Sequence, residues 1–241
     1  MFPRLFVRSI LAALQIPLLA AQDAKPAAKA WTVDDWSDWK LQETAPEGKR
    51  EILREIAGAK PAKGAILPGE EAAKAGVLVL GQGELLSVVK YEGRNPLLVD
   101  DYEISWEGLR IEGSDFFAAL TFPVGSAERC ATFVAGGWGG WTIGISSIDG
   151  LFANENETTR SMPFEQGQWY AFTLQVNRQS IRALIDGEES FHIALKGKTI
   201  GMHPSEITKS TPLGFASFNT KGAVRNVRIR PLKPGALVAP E

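Results

Sequence analysis

The sequence predicts an all-β fold, a two-sheet antiparallel sandwich or jelly roll preceded by a short N-terminal helix, and three observations carry that reading. From Val77 onward the chain is a series of short apolar runs divided by turn residues, with almost no helical periodicity. Residues Asp101 to Glu107 place Tyr102, Ile104 and Trp106 on one face and Asp101, Glu103, Ser105 and Glu107 on the other, which is the period of a half-buried antiparallel strand. Asp186-Gly187 lies between two such runs, and a type I′ hairpin needs positive φ at both positions.

Taken in order, residues 1–21 run from Arg4 and Arg8 through the apolar stretch Ile10 to Leu19 to Ala20-Ala21. That is the basic, apolar, small-residue order of a secretory signal peptide, and it is too short to span a bilayer comfortably. A periplasmic or secreted protein is therefore expected, with no membrane association once the leader is removed. Residues 22–30 read as an Ala, Lys and Pro linker, and residues 31–76 as an N-terminal extension. Within it Trp31, Trp36 and Trp39 read as anchors for the terminus, or as sugar-stacking rings. Glu47 to Ala57 carries Ile52, Leu53 and Ile56 with Gly58 just beyond, the spacing of a short amphipathic helix with a glycine stop.

The sandwich is expected over residues 77–232. Its strands are Val77–Leu80, Glu84–Lys90, Asp101–Glu107, Asp115–Phe122, Arg129–Ala135, Trp141–Ser146, Tyr170–Asn177, Ile181–Asp186, Ser190–Ile193, Leu213–Asn219 and Val224–Arg230. The tail, residues 233–241, is expected to fray into disorder.

Composition narrows the function classes. With 26 basic against 28 acidic residues the chain has no excess of positive charge for a phosphate backbone, so nucleic acid is not an expected partner. Cys130 is the single cysteine, which excludes an intrachain disulfide and a thiolate zinc cage; it reads as a small core residue. His192 and His203 are the only histidines and no nucleophile elbow is present, which leaves little room for a serine triad.

The stretch from Val134 to Thr159 holds the densest chemistry. Four glycines, Gly136, Gly137, Gly139 and Gly140, bracket Trp138 and precede Trp141, and a polar loop with Asp149, Asn154, Glu155, Asn156 and Glu157 follows. Aromatic platforms beside carboxylates and amides are the mixture that saccharide sites use. The same residues also read, without a ligand, as a bulge or tight bend and a solvated loop.

The runs DYEISWEGLRIEGSDFFAALTFPVG (Asp101–Gly125), GGWGGWTIGISSIDG with ANENETT, GQWYAFTLQV (Gly167–Val176) and PLGFASFNTKGAVRNVRIRPL (Pro212–Leu232) resemble the 3-keto-disaccharide hydrolase domain family, in a subgroup from planctomycete-type bacteria. GGWGGW stands where typical members carry a glycine-tyrosine-glutamate strand. The resemblance implies a concanavalin-like lectin and glucanase fold. It also implies a substrate oxidised at C3 of the sugar, whose ketone acidifies the C2 hydrogen so that a carboxylate base can remove it and expel the C1 aglycone.

Glu155, Glu157 and Asp115 are the candidate bases, and Trp138, Trp141, Asn154 and Asn156 the candidate saccharide contacts. The competing reading is a lectin-like module that binds through Trp138, Trp141 and Trp36 without turnover. No cofactor is required on either reading. A structural or catalytic calcium or other divalent cation is a third alternative, with Asp149, Asn154 and Glu155 as oxygen ligands, although their spacing fits no defined calcium loop. Asn156-Glu157-Thr158 is a formal glycosylation sequon, read as coincidence.

Overall fold

A computed structural model describes residues 29–64, 74–81 and 85–240. The expected leader and residues 22–28 of the expected linker lie outside the described residues. Two antiparallel sheets pack face to face. The eight-stranded sheet runs β13 (Glu188–Ala194), β12 (Ser180–Ile185), β11 (Trp169–Val176), β6 (Tyr102–Gly113), β15 (Thr220–Pro231), β4 (Val77–Leu80) and β3 (Arg50–Leu53), and β1 (Trp31–Thr32) adds to the far end of β15. The seven-stranded sheet runs β10 (Arg160–Ser161), β9 (Thr142–Ser146), β8 (Cys130–Gly136), β7 (Ala119–Pro123), β14 (Gly214–Phe218), β5 (Leu86–Tyr91) and β2 (Trp39–Leu41).

Alternation along each strand puts apolar side chains between the sheets. On β6, Tyr102, Ile104 and Trp106 face inward as expected, and β6 is paired on both sides, to β11 and to β15. Trp106 has 0% of its surface exposed. Its ring stacks on Phe172 of the neighbouring strand at 5.3 Å and meets Phe133 at 5.7 Å and Phe215 at 6.0 Å from the opposite sheet, so one side chain joins the two layers. The Asp186-Gly187 turn has φ of +51° and +84°, the left-handed pair that a type I′ hairpin requires. Cys130 is buried, its Sγ–H donates to the Ala127 carbonyl at 3.2 Å, and burial pushes its thiol up to about 11.

Three sequence expectations are corrected, and of the two readings of the N-terminal tryptophans the anchoring one holds. Residues 47–57 do not form a helix, because Arg50–Leu53 is β3, paired antiparallel to Leu80–Val77. A helix of that length is marginal on its own, whereas the open edge of β4 offers backbone partners at once, and Leu53 and Ile56 still find apolar neighbours in Val77, Val79 and Trp169. Residues 31–53, expected as an extension, supply β1 and β3 to one sheet and β2 to the other. Trp36 and Trp39 are buried, with Trp39 at 5.2 Å from Phe215, so these tryptophans anchor the N-terminal strands and Trp36 offers no stacking face. The tail is pinned as far as Leu237, which is buried and whose carbonyl accepts from Asn177 Nδ2 at 2.9 Å.

The two outer faces differ. That of the seven-stranded sheet carries Thr121, Thr132, Val134 and Ser146, and is only partly covered by a 3-10 helix, Glu206–Ser210, whose Ile207 packs on Val88 and Ala216. The loop that follows β9 covers another part of it, with Ala153 and Thr158 packed against Gly144. Replacing Trp106 by alanine should cost about 3–5 kcal/mol, the range for truncating a large buried ring. Urea denaturation of the two proteins checks it; a loss below about 1 kcal/mol would mean that Trp106 is not the joint between the layers.

Candidate functional site

The site is built from a buried arginine outward. Arg110 follows the inward-facing row of β6, and at the end of the sandwich its guanidinium donates to four main-chain carbonyls: Phe164 at 3.1 Å, Asp115 at 3.2 Å, Gly136 at 3.3 Å and Gly140 at 3.1 Å. It also lies 5.2 Å from the centre of the Phe117 ring. Burial pushes its pKa down and nearby Asp115 pulls it up. Two of the four carbonyls flank the turn that carries Trp138, so the arginine clamps both ends of that turn.

The glycines then have a specific reason. Gly136 has φ of +79°, and a Cβ there would come within 2.4 Å of Arg110 Nη2; Gly140 has φ of +102°. Between them Trp138 itself takes φ of +49°, a left-handed conformation that a bulky residue adopts only where its surroundings impose it. The result is a ring 43% exposed, held over the outer face of the seven-stranded sheet.

Under that ring lies a groove of about 400 Å³. Its floor is Thr132 and Val134 of β8, Ser146 of β9, Leu86 of β5 and Phe218 of β14. One wall is Asp115, Phe116 and Trp138, and the other is His203, Ser205, Glu206 and Ile207. Asp115 Oδ1 accepts from the Phe116 N–H at 2.8 Å and Oδ2 from the Gly139 N–H at 3.3 Å, tying the carboxylate to the tryptophan turn. Burial raises its pKa above the ordinary 3.8, opposed by those backbone N–H groups and by Arg110. Glu206 forms an ion pair with Lys209 at 2.5 Å, and the His203 ring lies 4.3 Å from that of Phe152.

Of the residues singled out from sequence, the fold brings Asp115 and Trp138 together and leaves the others outside the groove lining. Glu157 pairs with Lys198 at 2.7 Å, and Glu155 Oε2 accepts from the Phe152 N–H at 3.4 Å. Asn154 is exposed, and Trp141 is 54% exposed beside the groove rather than in it. Asn156 is buried: its amide donates to the carbonyls of Ile145, Leu151 and Phe152, and its oxygen accepts from the Thr158 N–H and hydroxyl. Its side chain pins the loop and has no group left for a sugar or a glycan.

Of the residues named for a calcium site, Asp149 Oδ1 accepts from the Thr199 N–H at 2.7 Å, Glu155 Oε2 accepts from the Phe152 N–H and Asn154 is exposed. Sequence reading missed Arg110, whose signal was a charged residue in the inward register of an alternating strand. It also missed His203 and Glu206, which reach the groove from more than fifty positions downstream of Ser146.

No family model matches the chain, and no curated protein matches it. Solved structures do share its architecture. A Crh5 transglycosylase in complex with NAG superposes with a TM-score of 0.53 at 9% identity, over 86% of this chain and 85% of that one. The chain shares the fold of that protein, a two-sheet antiparallel β-sandwich. Domain 4 of AbnA, a GH43 extracellular arabinanase from Geobacillus stearothermophilus in complex with arabinotriose, aligns over 87% of this chain and 95% of its own at 15% identity and a TM-score of 0.44. A protein of unknown function with a galectin-like fold from Bacillus subtilis aligns over 80% of this chain and 89% of its own at 12% identity and 0.46.

Two outcomes are expected. Arg110→Met leaves four carbonyls without their donor and should destabilise the protein by about 3 kcal/mol or more in chemical denaturation, since each stranded buried polar group costs about 1–3 kcal/mol. The second concerns Asp115, whose raised pKa makes its ionised form a destabilising group above that pKa, relieved as pH falls through it toward 3.8. The wild type should therefore gain stability relative to Asp115→Asn as pH is lowered from neutral, and denaturation midpoints across a pH series read the difference.

Proposed function

We propose that the groove under Trp138 is a saccharide-binding site of an exported protein, and that the domain binds its ligand without turning it over. The observation that carries this reading is the exposed Trp138 ring, held at left-handed φ by a turn clamped to Arg110, above a floor of outward-facing strand residues. A rigid aromatic face beside hydroxyl, carboxylate and imidazole groups suits a sugar ring, whose C–H face stacks while its hydroxyls hydrogen-bond. Asp115, His203, Ser205 and Glu206 are polar side chains of the groove walls that such a ring would meet. Binding is favoured over catalysis because Glu155 and Glu157 lie outside the groove lining, one on a backbone N–H and the other on Lys198. The basic, apolar and small-residue order of residues 1–21 supports export to the periplasm or medium.

One observation favours a second reading, the hydrolysis of 3-keto-glycosides. Asp115 is a carboxylate in the groove wall whose pKa is raised by burial, the direction that makes a carboxylate a better base near neutral pH. It would take the C2 proton of the oxidised sugar while the C1–O bond breaks, the departing alkoxide gaining a proton and water adding to the enone.

The test is incubation of the protein with 3-keto-glycosides and their unoxidised parents, reading tryptophan fluorescence and reducing-sugar release together. Trp138→Ala should weaken saccharide binding by ~1 kcal/mol or more while the fold survives. Release of aglycone from the 3-keto series, abolished in Asp115→Asn, would establish the second reading. The proposal falls if no saccharide of either series binds the parent protein.

A further inference from the structure

We infer that the saccharide this groove prefers carries a free ammonium, as in oligomers of 2-amino-2-deoxy sugars. The inference rests on the saccharide reading above and adds the class of ligand. The charged side chains that a ligand in the groove would touch are carboxylates, Asp115 in one wall and Glu206 in the other, and no lysine or arginine lines it. Asp115 has no cationic side chain within ion-pair distance among the described residues; its two oxygens meet only backbone N–H groups. Arg110 stands behind the wall with both terminal nitrogens directed at carbonyls, so its charge offsets the field there without offering a donor to a ligand. Lys209 is paired to Glu206 and also donates to the Glu43 carbonyl.

A sugar carboxylate or sulfate in this groove would face Asp115 with no lysine or arginine in the lining to meet it, only the His203 ring and hydroxyls, and like charges in a half-buried site repel strongly. An ammonium would give Asp115 the cation it lacks, through a charge-assisted hydrogen bond, and could lie close to the face of the Trp138 ring at the same time. A sugar hydroxyl can donate to the same carboxylate, but it brings no positive charge to balance it.

The test is fluorescence titration with four oligosaccharides of equal length, built from glucosamine, N-acetylglucosamine, glucose and a uronic acid, at a pH below the pKa of the amine. The glucosamine oligomer should bind at least about tenfold more tightly than its N-acetylated counterpart, a factor worth ~1.4 kcal/mol. That ratio should collapse toward one in Asp115→Asn. If this variant does not fold, the same ratio measured on the parent protein at rising ionic strength serves instead, and it should shrink as the charge pair is screened. Equal or tighter binding of the N-acetylated, neutral or uronate oligomer overturns the inference while leaving a saccharide site in place. A preference for the amine that neither Asp115→Asn nor added salt reduces overturns it as well. Failure of all four to bind overturns the inference and counts against the saccharide reading, which the 3-keto and parent glycosides then test separately.

Discussion

Four hydrogen bonds from one buried guanidinium hold the site together. Arg110 enters from the inward row of β6, where a charged side chain is costly unless it is hydrogen-bonded, and carbonyls from three separate segments accept from its two terminal nitrogens while its Nε has no partner. The segments are the bend at Asp115, the turn from Gly136 to Gly140 and the loop at Phe164. None has a regular ladder to fix it, so the arginine substitutes for one. Because main-chain carbonyls rather than a carboxylate accept these bonds, the cation fixes backbone positions, and the exposed side chains follow. Trp138 and Asp115 reach the same groove because the backbone of each is tied to the same guanidinium.

The strained turn makes sense in that light. Left-handed φ at a tryptophan costs of order 1–3 kcal/mol, and a flexible loop would relax it. Gly136 leaves room for Arg110 Nη2 that a Cβ would occupy, and the Gly139 N–H donates to Asp115 Oδ2, so clamp, turn and carboxylate over-determine one another. A ring fixed before its ligand arrives loses little conformational entropy on binding, which a mobile tryptophan would lose.

Much of the sandwich was legible because period-2 alternation and turn chemistry are local signals. The row Tyr102, Ile104, Trp106 and the Asp186-Gly187 hairpin placed the centre of one sheet and its β12–β13 turn correctly. What failed was of two kinds. Ile52, Leu53 and Ile56 suit a helical face as well as a strand that docks on an edge, and only the unpaired side of β4 decides between them. Asn156, Glu155 and Glu157 read as a polar site because composition does not distinguish a side chain that points at a ligand from one that ties its own loop. The amide of Asn156, with five hydrogen bonds to neighbouring atoms, is the clear case. His203 and Glu206 reach the groove only through tertiary folding, and no local pattern announces them.

The two outer faces explain why the groove lies where it does. On the eight-stranded sheet Glu103 is paired with Arg230 and Glu107 with Arg225, each at 2.7 Å, while Arg225 also covers the Trp169 ring at 4.0 Å. The apolar patch of that face, Val77, Val79, Leu109 and Trp169, packs against Leu53 of β3 and against Ile56, Ala59 and Ala62 from the segment that follows it. On that face the chain itself covers the apolar patch and pairs the two glutamates of β6. On the seven-stranded sheet the 3-10 helix covers Val88 and Ala216 and the loop at Ala153 and Thr158 covers Gly144 of β9, while Leu86, Phe116 and Phe218 stay half-buried around a depression with hydroxyls and carboxylates among them. Apolar surface left open beside a rigid aromatic wall gains free energy only when something else covers it. On this fold, the asymmetry between the two faces is the physical reason to look for the ligand under Trp138.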